Sequence, residues 1–293
     1  MSIQSSILRF LLKKTVNWNK PLNEVREFQQ NIEKNEKIPQ GITIEKFYTN
    51  GIESEWFIPQ TSDKSKTLIY FHGGGYCLGI VNANRNFVLK LAATFNTPIL
   101  LLNYRLAPEN PFPAAINDAI SAYKTLIENH NFKPENIGCI GDSSGCGLCL
   151  VTLQKLKEEN YTLPKFLAFM SPMVDLTKSG KSHKTMVKKD PMIIKPEFFI
   201  DNNYIANNNP ADPQFSPIFG NLSNLPETLI QASEYDIFFS DSEILYEKLN
   251  EYGVKAHMTV WKKMWHNFQL SEAILPEGKK AIKELQVFIQ SRL

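Results

Sequence analysis

The stretch Gly141-Asp142-Ser143-Ser144-Gly145 decides how this chain is read. An apolar run, Ile137-Gly138-Cys139-Ile140, precedes it, and a helix-compatible run from Leu148 to Lys155 follows. A G-x-S-x-G match between a strand and a helix is the context of a nucleophile elbow. A serine on so tight a turn leaves no room for a Cβ on either side, and Gly141 and Gly145 supply none. The turn lifts Ser143 Oγ clear of the sheet, at the N-terminus of a helix whose amides favour developing negative charge.

Outward from the elbow, strand and helix patterns alternate. Upstream, Ile42 to Phe47 alternates, Asn50-Gly51 signals a turn, and Glu53 to Ile58 reads as the returning strand of a hairpin. Thr67 to Phe71 is a buried strand that ends in His72-Gly73-Gly74-Gly75. A helix from about Arg85 to Phe95, a strand from Pro98 to Asn103 and a helix from Ala114 to Glu128 lead back to the elbow. Downstream, Phe166–Met170, Thr228–Ala232 and Ala256–Trp261 are strands, Asp241–Tyr252 is a helix closed by Gly253, and Gly278–Ile289 is a terminal helix. This rhythm predicts one α/β domain over 1–293, a mostly parallel central sheet with helices on both faces. Two stretches stand outside it. Residues 1 to about 40 read as amphipathic helix, with Ile7, Leu8, Leu11 and Leu12 on one face and Phe10 and Val16 nearby, packed on their own domain. About 177–209 is polar and reads as an insertion over the catalytic end of the sheet.

Composition narrows the function classes. A chain of 293 residues, 43% hydrophobic, can bury a large core. A formal net charge of +2 gives no field for nucleic acid, so no nucleic-acid partner is expected. Cys77, Cys139, Cys146 and Cys149 read as buried free thiols of a cytoplasmic protein, not a disulfide framework. Their spacing fits no zinc signature, and neither metal nor cofactor is expected. No apolar run is long enough to span a membrane, and the N-terminal stretch lacks the pattern of a signal peptide.

Acyl transfer by a serine needs a base for its hydroxyl, an acid to orient the base, and donors for the oxyanion. Of five histidines, His266 alone lies a few residues past the last strand, where a loop can reach back to the elbow. Its pKa is expected near neutral or somewhat below. Asp236 and Asp175 each follow a strand in the order serine, acid, histidine. Asp236 is favoured because its strand neighbours the one that delivers His266. Glu234 is a rival on the same loop, and Asp175 reads as a cap or loop hydrogen-bond acceptor. Bare glycine amides in His72-Gly73-Gly74-Gly75 can face an oxyanion, and the Ser144 amide completes the hole.

These motifs resemble the hormone-sensitive-lipase-like branch of the α/β-hydrolases. The resemblance is carried by His72-Gly73-Gly74-Gly75, Tyr104-Arg105-Leu106-Ala107-Pro108-Glu109, Pro111-Phe112-Pro113-Ala114-Ala115, the elbow, Ser171-Pro172-Met173-Val174-Asp175 and Asp212-Pro213-Gln214-Phe215-Ser216-Pro217. It implies an α/β-hydrolase fold and a serine carboxylesterase. Ser143, Asp236 and His266 would form the triad, and the amides of Gly74, Gly75 and Ser144 the oxyanion hole. It also implies a helical cap built from about 1–40 and about 177–209. The chain departs from the family at Cys146, where a second glycine is usual, and at Ser240-Asp241, where the second acid usually comes one residue earlier.

The expected substrate is a small ester of short to medium acyl length, roughly four to eight carbons. The alternative reading is an amide or formamide hydrolase, or a deacetylase, with the same triad. A non-catalytic small-ligand receptor ranks below both, because His266 is present. An interfacial lipase is disfavoured by the polar 177–209 stretch.

Overall fold

The computed structural model describes residues 1–15, 20–31, 38–192 and 200–293. Its frame is one eight-stranded sheet. In chain order the strands are β1 (Ile42–Thr49), β2 (Ile52–Pro59), β3 (Thr67–Phe71), β4 (Ile99–Leu102), β5 (Ile137–Asp142), β6 (Phe166–Met170), β7 (Glu227–Ser233) and β8 (Ala256–Trp261). Their spatial order is β1-β2-β4-β3-β5-β6-β7-β8. The ladders from β4 through β8 are parallel, and β2 alone runs the other way. The β1–β2 hairpin closes on Asn50 and Gly51, both at positive φ (49° and 75°), as a tight hairpin turn requires.

Alternation along the strands feeds two cores. Ile69, Phe71, Leu100, Leu102, Leu167 and Phe169 face one side. Leu68, Tyr70, Ile99, Leu101, Phe166 and Ala168 face the other. The first side is covered by α4 (Ala114–Glu128), α5 (Ser144–Glu158) and α7 (Phe239–Glu251), the second by α3 (Asn82–Phe95) and α8 (Pro276–Gln290). This is the α/β architecture expected from the alternation, and the α/β-hydrolase fold that the resemblance implies. The strand order reverses at β3, which lies between β4 and β5. Phe71 pairs with Gly141, so the glycine loop after β3 and the elbow after β5 leave the sheet side by side. Such a reversal is where an open parallel sheet forms its crevice.

The N-terminal stretch forms α1 (Ile3–Thr15) and α2 (Leu22–Asn31). The expected apolar face of α1 is split. Leu8 and Leu12 pack with Met192 and Trp261 against Met264, Trp265 and Phe268, whereas Ile7 and Leu11 are exposed (56% and 49%). The cause is a polar stripe at four-residue spacing. Ser5 donates to Glu277 (2.6 Å), Arg9 to the Lys189 carbonyl (2.7 Å) and Lys13 to the Lys188 carbonyl (2.6 Å). Those bonds set the rotation of the helix about its axis. Val16 and Trp18, with Ile193, Ile194, Phe198 and Phe199 of the second polar stretch, lie outside the described residues. In the rest of that stretch, the short helix α6 (Ser182–Thr185) leans on the start of α7. No helix among the described residues is long and apolar enough to cross a membrane.

Candidate active site

Ser143 sits between β5 and α5 with φ 51° and ψ −124°, a conformation that costs a non-glycine residue about 1–3 kcal/mol. The surroundings over-determine it. Its amide donates to the Met170 carbonyl (3.0 Å), and its own carbonyl accepts from Cys146 and Met173 (both 3.1 Å). A Cβ at Gly145 would run into the Phe71 carbonyl of β3, and one at Gly141 would press on the Cys146 amide at 3.0 Å. Backbone approach therefore excludes a Cβ at Gly145 and crowds one at Gly141. Cys146 fits because its side chain points elsewhere, its thiol turned to the Met170 carbonyl at 3.7 Å.

The glycine loop is held from three directions. The Gly73 amide donates to Asp142 (3.0 Å), and the Gly75 amide donates to Ser144 Oγ (2.9 Å). Tyr104 donates its hydroxyl to the His72 carbonyl (2.8 Å) and stacks on the His72 ring at 4.2 Å. Arg26 of α2 reaches the Cys77 and Ala107 carbonyls (2.8 Å each). Gly74 and Gly75 have φ values of 120° and 61°. Burial pulls the His72 pKa down to about 4, so this ring is neutral and its Nδ1 donates to the Gly73 carbonyl (2.7 Å). Of the three amides expected to form a hole, Gly74 and Ser144 are outside these bonds, while Gly75 is engaged by a neighbouring hydroxyl.

Asp236 and His266 meet. His266 Nδ1 donates to Asp236 Oδ2 at 2.9 Å, with both side chains buried. The loops that carry them are zipped together where β7 and β8 end. Glu234 N donates to the Trp261 carbonyl (3.2 Å) and Tyr235 N to the Met264 carbonyl (2.8 Å). Asp236 Oδ1 accepts from the Phe238 amide (2.8 Å). Glu234, the rival acid, instead accepts from the Lys263 amide (2.7 Å) and pins the corner of the histidine loop. Asp175 is consumed by its own loop, accepting from the Thr177 amide (2.9 Å) and from the hydroxyls of Thr177 and Ser179.

Four residues had no assigned part in the reading of the sequence. Asp142, inside the elbow itself, is buried and accepts from Tyr70 Oη (2.8 Å), the Gly73 amide and Asn267 Nδ2 (2.7 Å). Through Asn267, the neighbour of His266, it binds the histidine loop to the elbow. The Asn267 amide adds a bond to Ser171 Oγ (3.2 Å). The fourth is Asp190, buried in the 177–209 stretch, which accepts from the amides of Met192 (2.8 Å) and Ile237 (3.3 Å) beside the acid. Its only signal is an acid followed by proline and an apolar run, Asp190-Pro191-Met192-Ile193-Ile194, inside a polar segment.

The electrostatics favour a base of raised pKa. Burial acts to lower His266, but the Asp236 charge and hydrogen bond, with Asp190 and Asp142 behind them, outweigh it and hold His266 above its ordinary value. Asp190 is pushed up to about 7, first by burial and then by the Asp236 charge. Burial also raises the Asp142 carboxyl, against the pull of its three donors. Among the described residues no cluster of side chains could hold a metal ion.

A family profile described as alpha/beta hydrolase fold matches residues 68–270. An acetyl-hydrolase of Streptomyces hygroscopicus is 33% identical over 239 residues, 81% of this chain and 79% of the relative. A crystal structure described as an esterase from the bacterial hormone-sensitive lipase family superposes with a TM-score of 0.92 at 30% identity, covering 100% of this chain and 99% of the other. The structure of EstE5 soaked with p-nitrophenyl butyrate gives a TM-score of 0.91 at 32% identity, with 100% and 99% covered. The chain belongs to the α/β-hydrolase family, and within it to the hormone-sensitive-lipase-like esterases.

Proposed function

We propose that this protein is a serine carboxylesterase acting through an acyl-enzyme, with Ser143, Asp236 and His266 as its triad. The observation that carries the reading is the buried Asp236–His266 hydrogen bond of 2.9 Å, tied to the serine turn by the Asn267–Asp142 bond of 2.7 Å. Because the Nδ1 proton is held in the hydrogen bond to Asp236, Nε2 is left as the basic nitrogen. Ser143 Oγ attacks the ester carbonyl and gives its proton to His266 Nε2. The imidazolium passes that proton to the leaving alcohol, and a water activated by the same nitrogen releases the acid and restores the serine. The amides of Gly74, Gly75 and Ser144 form the oxyanion hole, and the N-terminus of α5 adds its dipole. No cofactor takes part.

The cap in this reading comprises α1, α2 and the 177–209 stretch. Three contacts support it: the hold of α1 on the Lys188 and Lys189 carbonyls, the hold of Arg26 on the glycine loop, and Tyr204 stacked on Tyr76 at 3.9 Å. Tyr76 follows the glycine loop, so the second stretch lies against the wall of the hole. Phe112 and Phe215 close on Tyr204 from behind. A wall this crowded suits acyl chains of roughly four to eight carbons, each buried methylene adding about 0.8 kcal/mol until the wall ends. The four cysteines are buried thiols. Burial pushes Cys77 up to about 12 and Cys146 and Cys149 well up, which suits inert thiols in the cytoplasm.

The test is kcat/KM for a panel of nitrophenyl esters and anilides of graded acyl length. Esters should lead, with an optimum inside that range and no jump when substrate forms emulsions. Faster anilide turnover would move the reading to an amide hydrolase. A long-chain optimum with interfacial activation would move it to a lipase.

A further inference from the structure

Outside the triad the described residues hold a second buried histidine–aspartate pair. His183 of α6 donates Nε2–H to Asp241 Oδ1 at 2.7 Å, and both side chains are buried. Asp241 Oδ2 also accepts from the amides of Val174 and Asp175, each at 3.0 Å. Around the pair, Ser182 N donates to Ser240 Oγ (3.0 Å), Ser240 N donates to Ser182 Oγ (2.9 Å), and that hydroxyl donates to the Ile237 carbonyl (2.5 Å). Three segments are thereby joined: the loop after β6, the α6 segment and the turn that carries Asp236.

Phe238 stands between the two pairs. Its ring meets His183 at 5.4 Å and 80°, and meets His266 at 5.2 Å and 61°. Its amide donates to Asp236 Oδ1. One residue thus holds the acid through its backbone and walls the base with its ring. The other histidine that meets that ring is His183. Among the described residues its Nδ1 is buried with no partner. An unpaired buried acceptor is costly, and an apolar side chain of similar bulk would avoid the cost. What an apolar side chain lacks is the Nε2 bond that fixes the ring plane against Phe238.

We propose that His183, oriented by Asp241, is a positioning residue for the reaction: it braces Phe238 and so keeps the Asp236–His266 pair in reacting geometry. It touches neither substrate nor Ser143 in this role. The inference rests on the triad reading, which has its own test in Ser143→Ala and His266→Ala.

The experiment compares wild type, His183→Leu, Phe238→Leu and the double variant on a nitrophenyl ester, with active sites counted by a fluorophosphonate. Each single change should lower kcat per titrated site about tenfold while KM stays within about twofold, since small misplacement costs rate rather than binding. The rising limb of kcat/KM against pH should move down, because a looser Asp236 bond supports the imidazolium less. The other charges that face His266, Asp190 and Asp142, are untouched by these variants. The double variant should be no worse than the worse single one, because the two side chains act in series. Should His183→Leu not fold, His183→Gln removes the ring while keeping a donor for Asp241, and Phe238→Leu tests the chain from its other end. Full kcat per titrated site with an unmoved limb and only a lower Tm would overturn the proposal, as would additive losses. If Ser143→Ala or His266→Ala keeps its activity, the triad reading itself has failed.

Discussion

The two histidine–aspartate pairs are wired in opposite senses. His266 offers Nδ1 to its carboxylate at 2.9 Å, whereas His183 offers Nε2 at 2.7 Å. The first arrangement leaves Nε2, the nitrogen at the tip of the ring, available as a base. The second leaves Nδ1, at the root of the ring, buried and without a partner among the described residues. Their carboxylates differ as well. Asp236 carries one backbone donor and stands beside other acids, while Asp241 carries two and anchors a neighbouring loop. A buried pair alone therefore does not define a base. What matters is which nitrogen remains and which charges face it.

The widest gap between the pairs should appear on deletion. Ser143→Ala or His266→Ala should lower kcat/KM by about 10⁴- to 10⁶-fold, and the double variant should lose no more, since nucleophile and base act as a unit. A fluorophosphonate should label wild type and leave Ser143→Ala unlabelled. If His183→Leu lost as much as His266→Ala in nitrophenyl ester kinetics, the distinction between the pairs would collapse.

A smaller gap separates the acids. Asp236→Asn should cost about 10³- to 10⁴-fold in kcat, because an amide favours the wrong imidazole tautomer. Asp175→Asn should instead lower Tm while turnover per titrated site holds, since its carboxylate serves the Thr177 and Ser179 donors of its own loop. A severe catalytic loss at Asp175 with a mild one at Asp236 would exchange their roles.

The third contrast is read from pH. The negative charge of Asp236 favours the imidazolium, so pH must rise further before His266 is a neutral base. The acid limb of kcat/KM should therefore have its midpoint above the ordinary histidine value of about 6.5. Asp190, pushed up to about 7, ionises across the same range and should broaden that limb. Asp190→Asn removes a charge that raises His266, so the limb should sharpen and shift down by a fraction of a unit. A profile from pH 5 to 9 checks both. A limb at or below the ordinary value would contradict the electrostatics described for this pair.

How much of this could be read from the sequence depended on whether the interaction was local. β3, β6, β8 and α4 have the ends expected of them, because two five-residue apolar runs and one alternating six-residue run, each bounded by polar residues, and one long amphipathic run carry their own boundaries. The proposed triad, Ser143, Asp236 and His266, could be picked out because each residue follows a strand that its own pattern announces. Asp142 and Asn267 stood in the quoted motifs, yet their bond joins residues 125 positions apart, and no local pattern announces it. His183 and Asp190 lay in a stretch read only as polar, since burial of a charged side chain depends on what folds over it. The exposed half of α1 was missed for a related reason. Ser5, Arg9 and Lys13 orient the helix through partners in distant segments, and periodicity registers only the apolar stripe.

The smallest expected effect concerns the proposed oxyanion hole, to which Ser144 would give its amide. The Gly75 amide donates to Ser144 Oγ at 2.9 Å, so the hydroxyl competes with the developing oxyanion for that donor. Losing a hole donor outright costs about 10²- to 10³-fold in kcat, so partial diversion of one should cost far less. Ser144→Ala keeps the backbone amide of residue 144 and removes the competitor, together with the hydroxyl's hydrogen bond to Tyr104. It should raise kcat about two- to fivefold with KM nearly unchanged. The same change deletes a part-buried hydrogen bond, about 0.5–1.5 kcal/mol, which for a chain of this size lowers Tm by a few degrees. The two readouts together separate the alternatives. A faster, less stable enzyme means that the hydroxyl holds the glycine loop at the expense of the hole. A slower one means that the bond sets the Gly75 amide where the oxyanion needs it, and Ser144 then supports catalysis through its side chain as well as its amide.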